Sequence, residues 1–146
     1  MLPPFDETGK LPQGIHQATW DAIVERYAIN DRRRDLLDGL REALGSLREA
    51  GCQRVYLNGS FVTDKHLPAD FDGCWEARGV DPTLLHPELL DFSDGRAAQK
   101  ARYGGELFPA ETLAEPAGTV FLDYFQRDRD TGLPKGIVAI DIGDRR

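Results

Sequence analysis

One stretch, Arg54 to Trp75, restricts what this chain can fold into more than any other. Val55-Tyr56-Leu57 is an apolar run that reads as a buried strand, and it stops at Asn58-Gly59-Ser60, a turn signal. After a short spacer the chain re-enters an extended stretch containing Asp70-Phe71-Asp72. Residues two apart on a strand share a face, so Asp70 and Asp72 are expected side by side, with Phe71 on the opposite face. Two neighbouring carboxylates resist joint ionisation. A divalent cation removes that conflict, and an all-oxygen donor set suits Mg²⁺ or Mn²⁺.

The turn supplies the other half of a site. Gly59 lets backbone approach a ligand closely. N–H groups at the start of a short helix after such a turn form an anion-binding concavity, to which the Ser60 hydroxyl adds a donor. Strand, Gly-Ser, short helix and Asp-x-Asp strand therefore read as a phosphate cradle facing a metal platform. Further along, Arg96 and Lys100 sit four apart in a segment, Arg96 to Tyr103, that reads as a helix. They share a face there, either to neutralise nucleotide phosphates or as an ordinary solvated surface.

This order of elements resembles the signature of the DNA-polymerase-β-like nucleotidyltransferase superfamily: an apolar residue, Gly, Gly or Ser, a spacer, then Asp-apolar-Asp. Gly73 departs from it, because an apolar residue usually follows the second Asp, and a bend or bulge is expected there. The resemblance implies a third carboxylate on the third core strand. Glu106, in the short apolar run Glu106-Leu107-Phe108, takes that place; Asp141 is the alternative and Glu111 a weaker one. Gly-Ser-Phe-Val-Thr, Asp-Phe-Asp-Gly-Cys-Trp and Ala-Gln-Lys-Ala-Arg-Tyr-Gly-Gly-Glu-Leu-Phe-Pro-Ala together also resemble a family of small uncharacterised bacterial proteins.

By resemblance, the expected activity is metal-dependent transfer of a nucleoside monophosphate from a nucleoside triphosphate to a protein, RNA or small-molecule acceptor. The expected setting is a toxin–antitoxin pair with a cognate partner. Asp70, Asp72 and Glu106 would be catalytic and metal-binding; Gly59, Ser60, Arg96 and Lys100 would hold the nucleotide. The alternative is a non-catalytic module, binding a nucleotide or a partner on a degenerate fold of the same type. A phosphoesterase using the same Asp pair is a third class.

Composition narrows the setting. The chain has 146 residues, enough for one domain over 1–146 with an extended, Pro-rich arm over 1–18. A net charge of −7 argues against general nucleic-acid binding. No apolar run reaches the length of a membrane span, and the acidic N-terminus is unlike a secretory signal. Cys52 and Cys74 form no disulfide framework, which fits a reducing cytoplasm.

The expected fold is a nucleotidyltransferase-like α/β (α+β) domain with a small mixed sheet and helices packed on it. Thr19 reads as an N-cap for a helix carrying Trp20, Ile23, Val24 and Tyr27. Asn30-Asp31 starts a longer helix with Leu36, Leu37, Leu40, Ala43, Leu44 and Leu47 on one face, terminated near Gly51. Arg32 to Arg34 at its start read as solvated charges or a phosphate contact, although cations oppose the dipole there. Asp81-Pro82 reads as a helix start interrupted at His86-Pro87. Thr119 reads as a cap for a helix over Val120 to Phe125, with a strand as the alternative. Ile137 to Ile142 reads as a strand, reached through a charged loop over Arg127 to Gly136. His66 reads as an exposed loop residue rather than a ligand.

Overall fold

The computed structural model describes residues 2–115, 118–128 and 131–143, and the fold is α+β. Five strands form one mixed sheet: β1 (Gly14–Gln17), β2 (Arg54–Asn58), β3 (Phe71–Trp75), β4 (Gly105–Pro109) and β5 (Gly136–Asp141), in the order β1-β5-β2-β3-β4. The pairs β1–β5 and β3–β4 are parallel, whereas β2 runs antiparallel to both its neighbours. Residues 136–141 enter between β1 and β2, and an isolated antiparallel bridge joins Arg127 to Pro134 in the preceding segment.

Alternation along these strands splits the core in two. Val55, Leu57, Phe71, Trp75, Leu107, Val138 and Ile140 point to one face. That face is covered by α1 (Trp20–Tyr27) and α2 (Asp31–Glu49). The leucine stripe of α2 is buried as its spacing predicts, each leucine contributing about 1.5–3 kcal/mol of burial. Tyr56, Cys74, Ile137 and Ala139 point to the other face, beneath Phe108, Phe121, Leu122 and Phe125. Thr19 caps α1 and Asn30 caps α2, each through its side-chain oxygen. Both cysteines are buried, free thiols. No helix among the described residues is long and apolar enough to cross a membrane.

The connection between β2 and β3 is fixed from the α2 side. Arg33 is only 1% exposed, and its guanidinium donates to the carbonyls of Phe61, Thr63 and Lys65. It also lies over the rings of Tyr27 and Phe61. Arg32 donates to the carbonyls of Pro68 and Ala69, Asn30 to His66, and the Tyr27 hydroxyl to Val62. Arg33 is thus neither a solvated charge nor a phosphate contact, and Arg32, though exposed, joins it in gripping one loop. Arg34 alone takes an exposed ion pair, with Asp31.

Several local expectations are corrected. Gly73 causes no bulge; pairing is continuous on both sides, and a Cβ there would lie 2.2 Å from the Tyr56 carbonyl oxygen. Residues after Asp81 form two 3₁₀ turns, Pro82–Leu84 and Pro87–Leu90, because each proline opens a new turn. In α3 (Ser93–Tyr103), Asp94, Gly95 and Arg96 take left-handed φ values of 51°, 65° and 63°, so regular helix starts only after Arg96. The segment after Thr119 gives a single turn, α4 (Phe121–Tyr124), preceded by Val120 and lacking a side-chain cap. Within the 1–18 stretch, residues 14–17 are strand β1, and Leu2 and Leu11 are buried. Of the expected loop over 127–136, residues 129 and 130 lie outside the described residues.

Arg33→Lys tests the grip on the loop. An ammonium group keeps the charge but cannot fork to three carbonyls, which leaves buried acceptors unsatisfied. The expected loss of stability is about 1–3 kcal/mol in urea unfolding. A change within experimental error contradicts the role given to Arg33.

Candidate metal centre

Pairing register builds the centre. Asn58 at the end of β2 stands directly across from Asp72 of β3, and Asp72 stands beside Glu106 of β4. Partners in register share a face, so these residues form a row across the sheet. Asp70 joins them from the chain entering β3. One carboxylate oxygen from each of Asp70, Asp72 and Glu106 lies within 4.8 Å of the other two. Phe71, between the aspartates, is buried on the opposite face.

The cluster carries its own counter-charges. Glu106 is 9% exposed, and its two oxygens are held by Arg96 at 3.3 Å and Lys100 at 3.2 Å. These cations do not share a face of regular helix, since Arg96 precedes it. The left-handed turn over Asp94 to Arg96 brings them together at Glu106 instead. Non-glycine residues occupy that conformation at a cost. Arg96 also lies over the Phe108 ring, 5.5 Å from its centre.

Burial, first, and the nearby Glu106 charge, second, push the Asp70 carboxyl above its ordinary range; Lys100, Arg32 and Lys65 oppose this. Gly59 has a φ of 81°, and a Cβ there would lie 2.7 Å from an Asp72 carboxylate oxygen. The close approach that this glycine permits is therefore to Asp72. After it comes one 3₁₀ turn, Ser60–Val62, too short for a helix dipole.

Asp72 and Glu106 face a cavity of about 690 Å³, a size typical of small-molecule sites. Asn58, Gly59, Arg96, Arg127 and Lys135 contribute polar walls, and Phe108, Phe121, Tyr124 and Phe125 form an aromatic one. Phe108 and Phe121 stack at 4.1 Å between ring centres. A smaller cavity of about 210 Å³ adjoins the first at Asn58, Gly59, Asp128 and Lys135. Ser60, Thr63 and Lys10 line this second space.

Other sequence-derived candidates lie elsewhere. Asp141 pairs with Arg54 at 2.8 Å, at the opposite end of β2 from Asn58, which takes it away from the other carboxylates. Glu111 accepts from the Ala77 backbone N–H. His66 is exposed. Asn58 was legible only as a turn residue, and its position opposite Asp72 needs the pairing register.

The donor set fits a hard divalent cation: carboxylate oxygens from three residues converge on one spot. The raised Asp70 value sets a test. Protonated Asp70 contributes stability below the ordinary aspartate value of 3.8, and that stability is lost as pH rises through the raised folded value. In EDTA at pH 7, Asp70→Asn is expected to melt above the wild type, with the gap closing as pH falls towards the ordinary value. Adding Mg²⁺ should raise the melting temperature of the wild type but not that of the variant. Coincident melting curves at every pH contradict this.

No curated protein and no solved structure matches the chain. One family model does, described as a family of unknown function (DUF6932), and it matches residues 3–141. The match spans nearly the whole length, and the chain belongs to that family.

Proposed function

We propose that residues 1–146 act as one nucleotidyltransferase-like domain. It moves a nucleoside monophosphate from a nucleoside triphosphate to a hydroxyl of a protein, RNA or small-molecule acceptor. The observation that carries this reading is the convergence of Asp70, Asp72 and Glu106 beside a cavity large enough for a nucleotide. Asp70 and Asp72 would hold Mg²⁺ or Mn²⁺, with Glu106 as the third ligand. When bound, the cation neutralises charge on the attacking and leaving oxygens.

The chain's own groups have separate tasks. Gly59 stands at the junction of the two cavities, and Ser60 lines the smaller one, which has Lys10 and Lys135 in its walls. A triphosphate tail fits that space, while the aromatic wall of the larger one takes the nucleoside. The acceptor oxygen forms a bond to the α-phosphorus, the bond to the β-phosphate bridging oxygen breaks, and pyrophosphate leaves. The acceptor proton passes to Glu106. Arg96 and Lys100, held at Glu106 before substrate arrives, offer cations to the incoming phosphates. A toxin–antitoxin setting and a cognate partner protein follow from the superfamily resemblance, and a cytoplasmic location from the two cysteines, both free thiols.

One observation favours a second reading. Both oxygens of Glu106 are engaged by cations of the chain itself, as in a degenerate site that binds a nucleotide or partner without turnover. Asp72→Asn separates the two. Wild type and variant are incubated with labelled nucleoside triphosphates, Mg²⁺ and cell lysate, and released pyrophosphate and phosphate are measured. Transfer with pyrophosphate release is expected from the wild type. The variant should be slower by about a hundredfold to a thousandfold, since several kcal/mol of electrostatic stabilisation is lost. Transfer undiminished in the variant contradicts the proposal, release of phosphate alone points to a phosphoesterase, and nucleotide binding without transfer points to the binding module.

A further inference from the structure

Asn58 stands out among the buried polar side chains. It is 6% exposed, and its Oδ1 is fully buried with no hydrogen-bond partner among the described residues. A buried amide oxygen without a partner is unfavourable, and native structures rarely retain one. Its cross-strand neighbour makes this sharper. Asn58 sits opposite Asp72, and an ionised carboxylate accepts hydrogen bonds but cannot donate one. Asp72 therefore cannot satisfy Oδ1, which calls for positive charge or a donor. Asn58 lines both cavities at their junction.

We propose that Asn58 Oδ1 is the neutral oxygen ligand of the divalent cation held by Asp70, Asp72 and Glu106. The inference rests on the metal centre proposed above and adds a ligand to it. A carboxamide oxygen suits hard cations as a carboxylate does. Being neutral, it ligates without adding a fourth negative charge to a cluster of three carboxylates. With one oxygen from each of four residues, a Mg²⁺-like cation of about six ligands keeps two positions for substrate oxygens. The row Asn58, Asp72, Glu106 across neighbouring strands is then one continuous ligand edge, with Asp70 closing it.

The test uses the whole chain and Mn²⁺ alone, so that turnover is not needed. Mn²⁺ binding is followed by electron paramagnetic resonance for wild type, Asn58→Leu and Asn58→Asp, and each protein is melted in EDTA. Asn58→Leu keeps the branching at Cγ and removes the orphaned oxygen. It is expected to bind Mn²⁺ at least tenfold more weakly while melting in EDTA at or above the wild-type temperature. Asn58→Asp restores an oxygen and should bind at least as tightly as wild type, but melt lower in EDTA because it adds a charge beside Asp72. If Asn58→Leu binds Mn²⁺ within twofold of wild type, Asn58 is not a ligand, although the carboxylate centre stands. If Asn58→Asp binds as weakly as Asn58→Leu, the oxygen is not what matters, and the inference is overturned. If wild type itself binds no Mn²⁺, the carboxylate centre falls and Asn58 with it.

Discussion

The arrangement depends first on a buried guanidinium. Arg33 enters from the first turn of α2, where a cation opposes the helix dipole, and it lies almost wholly out of water. Such a charge persists only where its donors are satisfied. Here the acceptors are backbone carbonyls of the β2–β3 connection, a segment without a ladder of its own. A planar fork can serve several such oxygens at once. Arg32, Asn30 and Tyr27 extend the same grip along the loop. The α1–α2 corner thereby fixes where the chain turns into β3, and hence where Asp70 and Asp72 stand.

The centre then follows from sheet register rather than from any single motif. Three adjacent strands each place one oxygen-bearing side chain on the same face, at the same end of the sheet. The opposite face is apolar and sealed by α2, so the polar residues have only one side to occupy. Arg96 and Lys100 balance much of the charge, which lets Glu106 remain buried. The strained turn at the start of α3 is what brings Arg96 there.

The parts legible in the sequence were those written in periodicity and punctuation. The leucine stripe of α2, the caps at Thr19 and Asn30, and the Val55–Ser60 strand and turn all depend on neighbours close in the chain. So did the pairing of Asp70 with Asp72. Glu106 required the superfamily resemblance, since nothing local marks it as facing Asp72. Asn58 and Arg33 were not legible in their roles: one owes its setting to strand register and the other to a loop almost thirty residues away. The 3₁₀ turns after Asp81 misled because a proline that suits a helix start suits a tight turn equally well. Asp141 misled because an acidic residue at a strand end reads alike whichever end of the sheet it occupies.

Diffraction from crystals grown with a non-hydrolysable nucleoside triphosphate and saturating Mn²⁺, with data collected at the manganese absorption edge, tests the metal centre most directly. The predicted result is an anomalous peak bounded by Asp70, Asp72 and Glu106, with phosphate density reaching towards Gly59 and Ser60. A well-ordered map that has no anomalous peak there, and in which Arg96 and Lys100 still hold both oxygens of Glu106, would contradict it.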